Sequence, residues 1–388
     1  MNNLKKILIV LPSFLNGGTN TCLRSLLPVL KEHGFDVDVF AITNVGPNKE
    51  YAAKYAKILG VSGEETSTSS LSFMQRLANC VKSVKKLLCK LGVDISPIVF
   101  KKVAIQLEKN NYDLIVSYQE GITTHFCSYF KTTPKIAWVH CDYDKYAKVV
   151  KGKSEEKRYS GFKKVVCVSE FTKNQFLKHI HSCPEVIALH NITDVDVIVE
   201  RSKLPIVDKR FDFVGFRIVS VGRINEVKRF SEIPRIVRTL KEKGVKDFRW
   251  YIVGDGGLEE KQLLEENIRK CNASEIILLG NQDNPYPFIA NADLYVSTSS
   301  TEACPCVINE AKILHTPIVS TNFGSVYEFI EDGVNGLISP IESIADKIAL
   351  MMTDQELYHQ IKSNISTFKY DNEMIKSKLL TSILEIES

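Results

Sequence analysis

The chain has 388 residues, 44% hydrophobic and 25% charged, with 20 glycines and 13 prolines. That composition excludes a disordered chain and a fibrous repeat, and the length suits two or three ordinary domains. The formal net charge of +4 hides an asymmetry. Residues 1–205 hold 29 Lys and Arg against 19 Asp and Glu, a net of +10, and residues 206–388 hold 21 against 27, a net of −6. A basic first half points to an anionic partner.

Taken in chain order, Lys5-Lys6 followed by an apolar run resembles the start of a signal peptide. Pro12 interrupts that run, Asn16-Gly17-Gly18 follows it, and no small-residue cleavage pattern appears, so a buried first strand over Ile7–Leu11 is expected. Further strands are predicted at Val37–Ile42, Leu114–Ser117, Ile136–Val139, Val165–Val168 and Val186–Leu189, with helices at Thr19–His33 and Glu170–His179. Most are continuous apolar runs, as strands covered on both faces require. Around Asp194–Val214 the pattern dissolves into polar residues and Pro205, which predicts a linker. A second series then runs through strands Ile218–Val221, Trp250–Val253, Ile276–Leu279, Leu294–Val296 and Ile318–Val319. Helices are predicted there at Glu232–Lys243, Glu259–Cys271 and Val307–Leu314, and helices alone from Ile344. Alternating strands and helices mean parallel α/β architecture. Two doubly wound Rossmann-like domains are therefore expected, at 1–200 and 201–388, with a ligand cleft at the strand C-termini and the last helix free to pack on the first domain. No run of about 18 uninterrupted apolar residues predicts a membrane span.

The ten cysteines include no CxxC pair, and several sit in apolar runs, so a reduced, cytoplasmic protein is expected. The segment Met74–Lys102 carries Lys82, Lys85, Lys86 and Lys90 beside Leu77, Val81, Val84, Leu87 and Leu88 at helical spacing. Such a basic amphipathic helix suits docking on anionic lipid, equally an ordinary packed helix with its lysines in water. Nucleic acid fits poorly, because interleaved aromatics are nearly lacking.

Three groups of residues carry chemistry. Gly17-Gly18 lets backbone amides at a helix start approach a phosphate or sugar. Gly222-Arg223, with Lys228 five residues later, puts two cations near one strand end, where a diphosphate or plain solvent would meet them. Ser299 to Ala311 holds Glu302 and Glu310 eight residues apart, and Pro305 suits the first helical turn. Amides at Cys304, Pro305, Cys306 and Val307 would head that helix as an anion site, excepting the proline, which has none. Glu310 and Glu302 would accept hydroxyl hydrogen bonds, or else serve as a cap and a helix-face ion pair. Of the DxD arrangements Asp36/Asp38, Asp142/Asp144 and Asp194/Asp196, the first reads as local structure at a strand start, while Asp142 and Asp144 after His140 suit acceptor hydroxyls.

With Val253-Gly254-Asp255-Gly256, Asn284-Pro-Tyr, Gly324-Ser-Val-Tyr-Glu328 and Asn335-Gly336-Leu337, these motifs resemble retaining glycosyltransferases of family 4 and their Glu-x7-Glu pattern. The resemblance covers most of the chain and is strongest from Ile218 to Ile338. It implies the GT-B fold: two Rossmann-like domains facing each other across a cleft. It implies that Arg223 and Lys228 bind the donor diphosphate, Glu310 the ribose and Glu302 the transferred sugar, with His140 lining the catalytic cleft. The implied reaction is transfer of a hexose from a nucleotide sugar, UDP-linked by family frequency, to a glycan or lipid-linked acceptor in bacterial-type surface polysaccharide synthesis. No cofactor and no metal are then expected, since the nucleotide sugar is a substrate. The place of work is the cytoplasm, at the inner face of the plasma membrane if the lysine-rich segment docks there. One departure stands out: Glu302-Ala303-Cys304-Pro305 replaces the family's Glu-Gly-Phe-(Gly/Pro), which leaves the donor sugar open. A nucleotide-sugar epimerase and a noncatalytic nucleotide-sugar-binding subunit are the alternatives.

Overall fold

The computed structural model describes residues 5–59, 96–150, 153–183 and 185–384. Lys82, Lys85, Lys86 and Lys90 lie outside these residues. Two compact units divide the chain: residues 1–192 with 372–388, and residues 193–371.

The first unit runs β1 (Lys6–Ser13), α1 (Gly18–Glu32), β2 (Asp36–Thr43), α2 (Asn48–Ala52), β3 (Lys57–Leu59), α3 (Ser96–Glu108), β4 (Leu114–Ser117) and α4 (Ile122–Cys127). It continues through β5 (Lys135–Val139), α5 (Tyr143–Val150), α6 (Lys153–Tyr159), β6 (Lys164–Cys167), α7 (Glu170–His179) and β7 (Val186–Ala188). Its sheet is parallel, in the order β3-β2-β1-β4-β5-β6-β7. Ile7 through Leu11 are all fully buried, so both faces of β1 are covered and the first strand reads as one apolar run. Helix α1 buries Leu23, Leu26, Leu27 and Leu30, the i, i+3, i+4, i+7 stripe of a helix laid on a sheet.

The second unit begins with α8 (Val195–Ser202), where the sequence predicts a linker. Asp194 caps this helix by accepting from the Val197 amide at 3.1 Å, and Ile198 is buried. A single 3-10 turn at Lys209–Phe211 then buries Phe211 against the Tyr251 ring, with centroids 4.5 Å apart. Isolated apolar residues among polar ones anchor this stretch, which is why its periodicity is invisible in sequence.

The series continues with β8 (Phe216–Val221), α9 (Ile233–Glu242), β9 (Phe248–Val253), α10 (Leu258–Lys270), β10 (Ile276–Gly280), α11 (Tyr286–Ala290), β11 (Leu294–Ser297), α12 (Cys306–Ile313), β12 (Ile318–Thr321) and β13 (Leu337–Ser339). Helices α13 (Ile344–Thr353) and α14 (Gln355–Ser366) close the unit, and α15 (Asn372–Leu384) groups with the first. The parallel sheet has the order β10-β9-β8-β11-β12-β13. Neighbours along β8 enter different cores: Ile218 packs with Trp250 and Leu294, and Val219 with Tyr251 and Tyr295. Both sheets reverse direction of winding beside their first strand, at β1/β4 and at β8/β11. In open α/β sheets such a reversal leaves a crevice beyond the strand C-termini where ligands bind.

Candidate functional site

In the second unit, β8 delivers Gly222 and Arg223 to that reversal, and β11 delivers the loop Thr298–Pro305. The backbone beyond the strands is unusually close. Gly222 donates to the Val253 carbonyl at 2.9 Å, Gly254 to that of Gly280 at 2.8 Å, and Ile224 to that of Asp255 at 2.9 Å. Gly254 has φ +142°, and a Cβ there would fall 1.9 Å from the Gly222 carbonyl oxygen. Only glycine fits. Lys228 lies across Gly222, whose missing side chain leaves it room: a Cβ would stand 3.0 Å from the Lys228 Cε.

Lys228 is held at both ends. Its amide donates to Asn225 Oδ1 at 2.9 Å, its carbonyl accepts from the Thr298 hydroxyl at 2.6 Å, and its Nζ meets Glu302 Oε1 at 2.6 Å. The Ser299 hydroxyl donates to the same Glu302 oxygen at 2.8 Å. From the other side, the Ser325 hydroxyl donates to the Glu302 carbonyl at 2.7 Å. Arg223 is exposed at the strand end.

Glu310 lies one turn into α12 and is 8% exposed. Its carboxyl has no hydrogen-bond partner among the described residues. Burial pushes its pKa up to about 7, opposed by the positive charge of Lys228. Pro305 is the residue before the helix rather than within its first turn, and accepts from the Ile308 and Asn309 amides. The helix therefore opens at Cys306 and Val307, while Cys304 lies in the preceding bend. Taken together, the second unit gathers Gly222, Arg223, Lys228, Glu302 and the start of α12 at the C-terminal ends of its two central strands, with Glu310 behind them.

In the first unit, Gly17 is extended and Gly18 opens α1; a Cβ on Gly18 would meet nothing within 4 Å. Two asparagines that sequence reasoning passed over pin the loop before them. Asn20 donates to the carbonyls of Ser13 and Leu15, and Asn48 to the carbonyl of Phe14 and to Asn16 Oδ1. His140 follows β5, its ring 5.1 Å from that of Tyr118. Its Nε2 is buried with no partner among the described residues, and burial pushes the imidazole down to about 3, so it is neutral at pH 7. Its backbone amide donates to Glu120 Oε2 at 2.8 Å.

Asp142 precedes helix α5 and Asp144 lies in its first turn. The carboxylate of Asp142 accepts from the Lys145 amide at 3.3 Å. Asp144 meets His179 Nε2 at 2.6 Å and Lys178 Nζ at 3.6 Å. Asp38 is buried and accepts from the Tyr112 hydroxyl at 2.6 Å, a structural bond as its spacing suggested.

Residues 210–367 match the family model described as "Glycosyl transferases group 1". The second unit carries a glycosyltransferase group 1 domain. Among curated relatives of the chain, a lipopolysaccharide core biosynthesis glycosyltransferase of Rhizobium meliloti, LpsE, is 34% identical over 36% of the chain and 40% of its own length. Two uncharacterized glycosyltransferases of Methanocaldococcus jannaschii are 29% and 25% identical, and the chain spans only 37% and 54% of their lengths. An N-acetylgalactosaminyltransferase of Campylobacter jejuni, named for an undecaprenol-diphosphate-linked acceptor, is 23% identical over 94% of each chain. Solved structures extend the likeness beyond the group 1 domain. Anabaena HepE in complex with UDP and glucose aligns with a TM-score of 0.74 at 16% identity, over 98% of this chain and 99% of that one. TarM aligns with 0.72 at 14%, over 98% and 99%. These likenesses show the GT-B fold.

Proposed function

We propose that this chain is a retaining, metal-independent hexosyltransferase that moves a hexose from a UDP-linked donor to a hydroxyl of a glycan or lipid-linked acceptor in surface polysaccharide synthesis. The observation that carries this reading is the Lys228–Glu302 pair beside Gly222 and Arg223 at the sheet reversal. Departure of a nucleoside diphosphate breaks the C1–O bond and leaves charge on the phosphate oxygens. In this reading Arg223, Lys228 and the amides that open α12 stabilise that charge. Glu310 supplies a buried acceptor for ribose hydroxyls, and Glu302 one for the hexose. Gly17-Gly18 gives the donor close access to the start of α1. His140 serves the acceptor side. The UDP and glucose named with HepE, and the undecaprenol-linked acceptor in the name of the Campylobacter enzyme, support the two substrate classes.

The deciding experiment incubates the chain with UDP- and GDP-sugars and lipid-linked acceptors, in buffer containing EDTA, and identifies products by mass spectrometry and anomeric configuration by NMR. A retained-configuration glycoside is expected. Turnover of none of these donors would overturn the reading in favour of a noncatalytic nucleotide-binding subunit. Donor conversion without acceptor to an isomeric sugar nucleotide would favour an epimerase. Docking on the inner membrane face through Lys82, Lys85, Lys86 and Lys90 rests on sequence alone. It predicts co-sedimentation with anionic but not neutral vesicles.

A further inference from the structure

Of the ten cysteines in the chain, only Cys304 and Cys306 are separated by a single residue. They stand at the exit of the loop that carries Glu302, and Cys306 opens α12. Both are half-buried, whereas Cys22, Cys127 and Cys167 are buried. Burial pushes the Cys127, Cys141, Cys167 and Cys183 thiols up, away from the thiolate that sulfur exchange needs. Between the pair, Pro305 has φ −76° and ψ 87°, close to an inverse γ-turn. Such a bend draws its flanking residues into the Cα separation of about 4.4–6.8 Å that a disulfide spans. The proline ring fixes φ before any bond forms. The Cys306 side chain is already folded back over the bend, its thiol donating to the Cys304 carbonyl at 3.7 Å. We propose that Cys304 and Cys306 are a thiol pair that a small-molecule disulfide oxidises reversibly, and that closing their bond shuts the donor site. The second half of that statement rests on the glycosyltransferase reading.

The chemistry is thiol–disulfide exchange in two steps. The Cys306 thiolate attacks one sulfur of the oxidant RSSR, forming a mixed disulfide as the old S–S bond breaks and RS⁻ leaves. The Cys304 thiolate then attacks the Cys306 sulfur and expels the second RS⁻. The pair gives up two electrons, and its two protons end on the two RSH released. Closure disturbs the site because Cys304 is anchored. Its side chain packs on the core that contains Ile308, Phe323 and Phe329, and must leave that core to reach Cys306. Two residues earlier, the Glu302 carbonyl is pinned by the Ser325 hydroxyl at 2.7 Å, and its carboxylate meets Lys228 at 2.6 Å. Rotation at Cys304 therefore pulls on Glu302 from one end and on the Cys306 amide from the other. A displacement of about 1 Å in such groups is worth on the order of a hundredfold in rate.

The test treats the reduced full chain with excess oxidised glutathione and then cleaves it after glutamate. Cleavage at Glu302 and Glu310 releases residues 303–310, which hold both cysteines and no other. That peptide is expected two hydrogens lighter and closed to iodoacetamide, with dithiothreitol reversing both changes. In Cys304→Ser, Cys306 should instead carry glutathione as the mixed disulfide. Donor turnover should fall at least about tenfold on oxidation and return on reduction. In the double variant Cys304→Ser/Cys306→Ser, the same oxidant should leave turnover at that variant's own untreated rate. A peptide that still takes two alkyl groups after oxidation would overturn the pair. A closed peptide with turnover unchanged would overturn the gating, as would an equal fall in the double variant, which would mark another cysteine. If the reduced chain turns over no donor, the glycosyltransferase reading fails and the gating with it, while the peptide mass still decides the pair.

Discussion

Lys228 Nζ and Glu302 Oε1 meet at 2.6 Å, with side chains 22% and 19% exposed, across 74 residues of sequence. Each neutralises the other. Lys228→Ala leaves a half-buried carboxylate with only the Ser299 hydroxyl as partner among the described residues. The loss should be about 1 kcal/mol of stability in urea unfolding and at least about a hundredfold in donor turnover. Adding Glu302→Gln should recover stability and not turnover. Coupling between the two in stability is the double-mutant signature of direct contact.

Glu310 makes stability depend on pH. Its folded pKa of about 7 lies above the ordinary 4.5. Between those values the folded chain holds a proton that the unfolded chain has released. The stability from this group is therefore full below pH 4.5 and falls as pH rises through 7. Melting temperatures measured across that window should decline relative to those of Glu310→Gln.

Lys312 behaves oppositely. Desolvation pushes it down to about 8 from 10.5. The folded chain then binds fewer protons than the unfolded one between pH 8 and 10.5, so stability gained from this group rises with pH across that window. Its Nζ donates to the Phe329 carbonyl at 2.7 Å and lies 4.0 Å from the Phe368 ring centroid. Lys312→Met keeps the packing and should remove the slope, as melts in matched buffers would report.

Two glycines should separate fold from ligand access. Gly254→Ala puts a methyl against the Gly222 carbonyl and should cost about 2 kcal/mol or more, seen as a lower urea midpoint. Gly18→Ala meets no atom within 4 Å, so stability should hold. UDP-sugar binding measured by calorimetry should weaken in Gly18→Ala if the donor approaches that backbone.

The strands of both sheets were legible because burial on two faces produces unbroken apolar runs, as at Ile7–Leu11 and Trp250–Val253. Of the three-residue edge strands, β7 was legible in the apolar run Val186–Leu189, while β3 and β13 were not, since Lys57–Leu59 and Leu337–Ser339 each hold only two apolar residues beside a polar one. Helices α2, α4 and α11, of five or six residues, were missed for their shortness, and α8 because one buried Ile198 is too little periodicity. In the site, Gly222, Arg223, Lys228, Glu302 and Glu310 stand out as a spaced motif. Thr298, Ser299 and Ser325 do not: single hydroxyls are common, and Thr298 acts on a carbonyl 70 residues away. Glu120 was hidden likewise, its partner lying 20 residues on.

Because α15 belongs with residues 1–192, the chain passes between units twice, at 192/193 and 371/372. In topological terms the second unit is an insertion within the first. A chimera that exchanges donor specificity should therefore transplant 193–371 as a single cassette. Fusing two halves at one crossover would strand Asn372–Leu384 on a foreign host, and the buried faces of Ile375, Leu379 and Ile383 with it.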